Sequence, residues 1–160
     1  MQSLPHTKSC FVCGEQNAIG LKLRFETDGT LVKAKFVPRA EHAGFKGTVH
    51  GGVLSTLLDE IMVWACAVRT KRFSYCAELT VRFIHPAKPG TDITAVGEMT
   101  ANRKSRLFEA RGELQGPGGE VLASATGKFM PIAAEFLLEM TEDFIGDPAP
   151  FLEAVGKPSR

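Results

Sequence analysis

The segment Gly52 to Val68 constrains the fold more than any other part of the chain. Twelve of its 17 residues are apolar, and they occupy more than one face of a helix. A surface helix carries its apolar residues as a stripe, so a helix that is apolar on most sides is buried on most sides. A sheet wrapped around it is the natural way to bury it, and the flanking sequence supplies strands. Leu21-Lys22-Leu23-Arg24-Phe25 alternates apolar and basic residues, as a half-buried strand does. Asp28-Gly29 signals a turn, and Leu31 to Val37 reads as a return strand ended by Pro38. Arg39 to Val49, with Gly44 and Gly47, reads as a loop.

Four further strands follow the helix. Glu78 to Ile84 alternates, with Leu79, Val81 and Phe83 on one face and Glu78, Thr80 and Arg82 on the other. Asp92 to Thr100, Leu107 to Leu114 and Val121 to Met130 complete a meander, with a turn at Gly116-Pro117-Gly118-Gly119. Ala134 to Phe144 reads as an amphipathic helix, and Asp147 to Arg160, with three prolines, as a loose tail. The expected fold is α+β: one long helix wrapped by a curved antiparallel sheet of about six strands, with an extra C-terminal helix. Residues 1–20 form an irregular N-terminal segment, 21–131 the main domain, and 132–160 the C-terminal helix and tail.

A chain of 160 residues, 44% hydrophobic, is sufficient for one packed domain. The net charge of +1 argues against a nucleic-acid-coating protein. Met1 to Ser9 is polar, and the longest apolar run, Ile61 to Val68, is far short of a membrane span. Four cysteines without an export signal point to a reducing compartment. These features lead to the expectation of a cytoplasmic protein with neither nucleic acid nor membrane as partner.

The candidate chemistry lies at the start of the long helix. His50-Gly51-Gly52 opens it with bare backbone N–H groups, which favour developing negative charge. Asp59 sits two turns further on, among Val, Leu, Ile and Trp, where a carboxylate is costly to bury. A site that binds an oxyanion and a buried acid together suggest attack on a carbonyl. Eight helical residues rise about 12 Å. A donor and an attacking group must each lie roughly 3 Å from the reacting centre. Gly51 and Asp59 of one helix therefore serve different carbonyls. Two such helices antiparallel across a two-fold axis bring Gly51 of one copy to Asp59 of the other, which implies an obligate dimer with shared active sites.

The run Gly47-Thr-Val-His50-Gly51-Gly52-Val-Leu-Ser-Thr-Leu-Leu-Asp59-Glu60 resembles the signature of hotdog-fold acyl-CoA thioesterases of the phenylacetate-pathway, PaaI-like type. Ala77-Glu-Leu-Thr-Val-Arg-Phe-Ile-His-Pro86-Ala-Lys-Pro-Gly90 resembles the strand after that family's central helix. The resemblance implies a hotdog fold paired into dimers and often tetramers. It implies hydrolysis of acyl-CoA to a carboxylate and free CoA, with no cofactor besides the CoA of the substrate. By position, Gly51 matches the glycine whose N–H polarises the carbonyl. Asp59 matches the acid that attacks it or activates water, and His50 the histidine that shapes the pocket. Gly52 and Cys76 fall against the substrate. Two positions depart from the pattern. Gly44 stands where many members have Asn, with His42 nearby, and Cys76 stands where many have Ser or Thr.

Other residues admit more than one reading. Glu60 points about 100° away from Asp59 around the helix and reads as structural, as partner to an Arg, or as a backup acid. Cys10-Phe-Val-Cys13-Gly14 resembles half a zinc site, with His6 as a third ligand. A structural site needs four, so a packing turn without metal is expected. Cys66, His85 and Trp64 read as structural; Trp64, Phe73 and Tyr75 would set pocket depth. Arg103, Lys104 and Arg106 form either a solvated hairpin or a clamp for CoA phosphates, as do Arg69, Lys71 and Arg72. The rivals to hydrolysis are acyl-CoA binding without catalysis, hydratase chemistry, and a zinc-stabilised interaction module. The second lacks a His between Asp59 and His85.

Overall fold

The computed structural model describes residues 1–151, so most of the tail expected after Asp147 lies outside the described residues. The elements run β1 (Gln2–Ser3), β2 (His6–Thr7), β3 (Phe25–Thr27), β4 (Leu31–Phe36), a 3-10 turn (Ala40–His42) and α1 (Gly51–Thr70). They continue with β5 (Ser74–Phe83), β6 (Ile93–Arg103), β7 (Leu107–Gln115), β8 (Val121–Pro131), α2 (Ala134–Thr141), β9 (Phe144–Ile145) and a closing 3-10 turn (Ala149–Phe151). Seven strands form one antiparallel sheet in the order β1-β3-β4-β6-β7-β8-β5. It curves around α1, the hotdog arrangement.

α1 lies against the sheet with ten residues buried, among them Leu57, Leu58, Ile61 and Met62. Its depth is set by two glycines paired across β6 and β7, Gly97 and Gly112. A Cβ on Gly97 would stand 2.6 Å from the Ile61 carbonyl oxygen, and one on Gly112 would meet Ile61, Leu58 and Met62 at 3.3 Å. Glycine inside a strand is usually a weakness, but here it lets helix backbone touch sheet backbone. By length and a mean hydropathy of 1.5, α1 is apolar enough to cross a membrane; the sheet buries it instead. One stripe remains partly open: Gly52, Thr56, Asp59 and Val63.

Two expectations are corrected. The strand expected from Leu21 begins only at Phe25, because Lys22 adopts φ 61° and breaks the extended run before it. The alternation in burial is nonetheless real: Leu21, Leu23 and Phe25 are buried. The backbone N–H groups of Leu21 and Leu23 bond to the Phe11 and Val12 carbonyls, so the segment is laced to the N-terminal loop. The C-terminal helix stops at Thr141, and the next residues form β9, which pairs with β2. The termini are therefore joined: the Ser9 hydroxyl donates to Asp143 Oδ2 at 2.7 Å. Together they close over the C-terminal half of α1, where Phe25, Phe73, Phe144 and Phe151 surround Trp64.

Gly97→Ala should force α1 off the sheet. Overpacking of this kind costs about 1–3 kcal/mol, which in a chain of this size lowers Tm by roughly 2–10 °C in differential scanning calorimetry. An unchanged Tm would mean that α1 does not sit this deep.

Candidate active site

The loop before α1 is held so that His50 caps the helix. The His50 N–H donates to the His42 carbonyl and Val49 N–H to the Ala87 carbonyl. His50 then accepts from Gly52 N–H through Nδ1 at 2.8 Å, and its carbonyl accepts from Val53 N–H at 2.9 Å. Of the first three helical donors, Gly51 N–H alone has no acceptor among the described residues. It opens onto a cavity of about 700 Å³ that Phe45, Leu54, Phe83 and Ile84 help to line. Phe45 is 89% exposed, an unusual state for a phenylalanine.

The position of Gly44 has a packing reason: a Cβ there would lie 3.1 Å from both Cα and Cδ2 of His50. His42 does not stand in for the missing Asn. It is buried against the Phe36 ring, its Nδ1 accepts from Arg39 N–H at 2.9 Å, and it does not line the cavity.

Asp59 faces a second cavity, of about 370 Å³. The two cavities share no lining residue. Asp59 Oδ1 is buried with no hydrogen-bond partner. Burial pushes the Asp59 carboxyl above the usual carboxylate range, and the neighbouring Cys76 thiol offsets part of that rise. At a β-bulge between Cys76 and Glu78, where Ala77 has no partner on β8, the Cys76 thiol donates to the Glu78 carbonyl at 3.5 Å and lies beside the Asp59 carboxyl. The thiol is itself pushed up to about 11, first by burial and then by the carboxylate beside it, and so stays protonated.

Glu60 has no arginine partner; among the described residues it forms no salt bridge. Its carboxyl turns in beside the Trp64 indole, and burial, with the charges of Cys10 and Asp59, pushes it up to about 8. One of its oxygens and the sulfurs of Cys10 and Cys13 all lie within 4.8 Å of one another. His6 is not part of this group, since its Nε2 pairs with Glu15 Oε2 at 2.8 Å. The hydrogen bond from Cys13 lowers Cys10 to about 6, and the same contact, with burial, raises Cys13 well above an ordinary thiol.

Residues 46–115 match the thioesterase superfamily. Over that segment the chain is similar to the thioesterase superfamily, and its fold is the hotdog. Among solved structures it is similar to a thioesterase superfamily protein with 26% identity and a TM-score of 0.71, over 77% of this chain and 63% of that one. The chain thus spans under two thirds of that protein's length. It is also similar to the E. coli PaaI protein of the phenylacetic acid degradation operon, with 20% identity and a TM-score of 0.64 over 71% of this chain and 81% of that one. A third is a Streptococcus pneumoniae TIGR4 hypothetical thioesterase solved with coenzyme A, with 16% identity and a TM-score of 0.64 over 69% and 86%. No curated protein matches the chain.

The basic residues lie far from Gly51. Arg103 is engaged by Glu109, with Nε 3.2 Å from Oε1. Lys104 and Ser105 take positive φ at the hairpin tip, and Arg72 Nη1 donates to the Ser105 carbonyl at 3.1 Å. The two basic clusters of the sequence thus form one exposed group past the C-terminal end of α1. A 20-residue helix separates it from Gly51 by about 30 Å. None of Arg103, Lys104 and Arg106 lines either cavity. His85 lines the cavity at Gly51, and its Nδ1–H donates to the Val121 carbonyl at 3.0 Å.

The raised Asp59 carboxyl links stability to pH. Folding favours its protonated form, so that contribution is complete below the unfolded value near 3.9 and is lost as pH rises through the higher folded value. Urea unfolding across this range should show Asp59→Asn gaining on the wild type as pH rises, then holding a constant lead. A gap that does not change with pH would mean that Asp59 is not desolvated.

Proposed function

We propose that the protein hydrolyses an acyl-CoA thioester to a carboxylic acid and free CoA, at sites shared between two copies of the chain. One observation carries this reading: the orphaned Asp59 carboxylate faces a different cavity from the unpartnered Gly51 N–H, about 12 Å along one helix. Neither group completes a site alone. The partly open stripe Gly52-Thr56-Asp59-Val63 starts beside Gly51 and includes Asp59. Beside it, β5 hydrogen-bonds only to β8, leaving a ten-residue edge with Tyr75 and Phe83 exposed. Long open edges invite pairing. A second copy, antiparallel over this face, covers the stripe and the edge together and brings each Gly51 to the other's Asp59.

The chemistry follows from these groups. The Gly51 N–H lies where the carbonyl oxygen gains charge. Asp59 takes the proton of an attacking water, or itself attacks to give an anhydride that water then opens. In either route the carbon–sulfur bond breaks and CoA leaves as thiolate. A thiol titrates near 8.5, so the leaving group needs no acid to protonate it. That agrees with His50, whose Nδ1 is committed to Gly52 N–H and which shapes the loop without moving a proton. The group of Arg72, Lys104 and Arg106 suits the phosphates of CoA, as a clamp remote from the reacting carbon. The Streptococcus pneumoniae protein solved with coenzyme A has this fold, and the signature around His50 supports the phenylacetate-pathway subtype.

Acyl-CoA binding without hydrolysis remains the second reading, favoured by Gly44 and the Cys76 thiol where polar residues would position water. Release of free thiol from a panel of aromatic, short and long acyl-CoAs separates the two. Asp59→Asn should lower turnover by at least about 10²-fold with the oligomer intact. Near-native activity in that variant would end the proposal. In the wild type the rate should fall on acidification with an apparent pKa above the usual carboxylate range, because the ionised acid is the active form.

Sharing has its own test. Gly51→Pro deletes the donor at a helix position that accepts proline. A hybrid of one Gly51→Pro chain and one Asp59→Asn chain should regain one working site of its two. Absence of recovery would place both groups in the same subunit's site.

A further inference from the structure

The hydrolysis described above makes no use of the Cys10–Cys13 loop, yet the loop is built with care around its two sulfurs. Val12 N–H donates to Cys10 Sγ at 3.3 Å, and the Thr7 hydroxyl lies 3.5 Å from Cys13 Sγ while accepting from Cys10 N–H. Gly14 N–H folds back to the Cys10 carbonyl at 2.8 Å. A Cβ on Gly14 would lie 2.1 Å from that oxygen, so the turn admits only glycine. Arg24 Nη1 donates to the Cys13 carbonyl at 3.0 Å. The loop is thereby anchored with both thiols turned toward Glu60 of α1.

The surrounding cavity is one-sided in charge. Its lining includes Cys10, Cys13, Asp59, Glu60 and Asp143, with no Lys, Arg or His among the described residues. Such a collection of acids without a counter-charge calls for a cation. We propose that Cys10, Cys13 and Glu60 form a site for one Zn²⁺ ion, which ties the N-terminal loop to α1 beside Asp59.

The donor set fits that ion. Zn–S bonds of about 2.3 Å and Zn–O bonds of about 2.1 Å place tetrahedral ligands roughly 3.5–3.8 Å apart. The three donor atoms already lie within 4.8 Å of one another, so closure takes only small side-chain movements. Two thiolates select a soft, tetrahedral ion over Mg²⁺ or Ca²⁺. The N–H and hydroxyl already at the sulfurs are the outer partners that such ligands require. The fourth position opens into the 370 Å³ cavity and takes a water. The site replaces the His6 ligand that the sequence pointed to with an acid contributed by the central helix, and it stands whether or not the chain hydrolyses thioesters.

The test uses the full chain, kept reduced with a phosphine. Co²⁺ should produce thiolate-to-metal charge-transfer absorption that saturates at a single ion per chain, and Zn²⁺ should displace it. Zn²⁺ should also protect two of the four thiols from alkylation, mapped by mass spectrometry to Cys10 and Cys13. Both readouts use wild-type protein and do not depend on how a variant folds. Cys10→Ser should abolish the band, and Glu60→Gln should keep it while weakening affinity about tenfold or more. The site is overturned by reduced protein that gives no such band, or by Zn²⁺ that leaves Cys10 and Cys13 as reactive as in metal-free protein. A Glu60→Gln variant of unchanged affinity, or a Cys10–Cys13 disulfide that survives the phosphine, overturns it equally.

Discussion

The contact between the Ile61 carbonyl and the paired glycines Gly97 and Gly112 decides how deep α1 sits, and the candidate chemistry depends on that depth. Sunk to this level, the helix buries Leu57, Leu58, Ile61 and Met62 against the sheet. Because 3.6 residues make a turn, Asp59 and Glu60 then come to the rim, enclosed enough to lose water yet still facing cavities. A helix raised off the sheet would enclose both acids less and weaken the burial that raises their carboxyls.

The same burial sets stability against chemistry. Asp59 keeps a carboxylate oxygen without a hydrogen-bond donor, a state that costs folding free energy. Only a protonated thiol, Cys76, is turned toward it, and a thiol is a weak donor. A Ser or Thr at that position would hold the carboxylate more firmly and lower its basicity. Gly51 shows a parallel economy: His50 uses its side chain and carbonyl on the next two donors of the first turn and leaves one N–H for another acceptor.

Much of this was legible in the sequence. The apolar density of Gly52 to Val68 announces a buried helix, the period-two runs mark β4, β6, β7, β8 and all of β5 but its first four residues, and the 12 Å rise separates Gly51 from Asp59. What escaped depends on contacts between segments remote in sequence. Leu21 to Phe25 alternates like a strand, but its partners are carbonyls of the N-terminal loop, and Lys22 takes a left-handed turn to reach them. Angle alone leaves Glu60 open between a structural role, an Arg partner and a backup acid. Its neighbours Cys10 and Cys13 lie almost 50 residues earlier in the chain, and no local pattern reports that proximity. Gly97 and Gly112 were a readable signal, since a lone glycine inside a strand marks a close backbone approach.

The cavity beside Asp59 is therefore not a property of the central domain alone. Its wall is assembled from the N-terminal loop at Cys10 and Cys13, the middle of α1, the start of β5 at Ser74 to Cys76, and the C-terminal residues Met140, Asp143 and Phe144. The first and last of these are held together by the pairing of β2 with β9 and by the Ser9–Asp143 hydrogen bond. The superfamily match ends at residue 115, before the C-terminal part of this wall begins. Segments on both sides of the match thus join α1 and β5 in enclosing the acid, and the shape of the cavity beside Asp59 depends on them as well as on the matched segment.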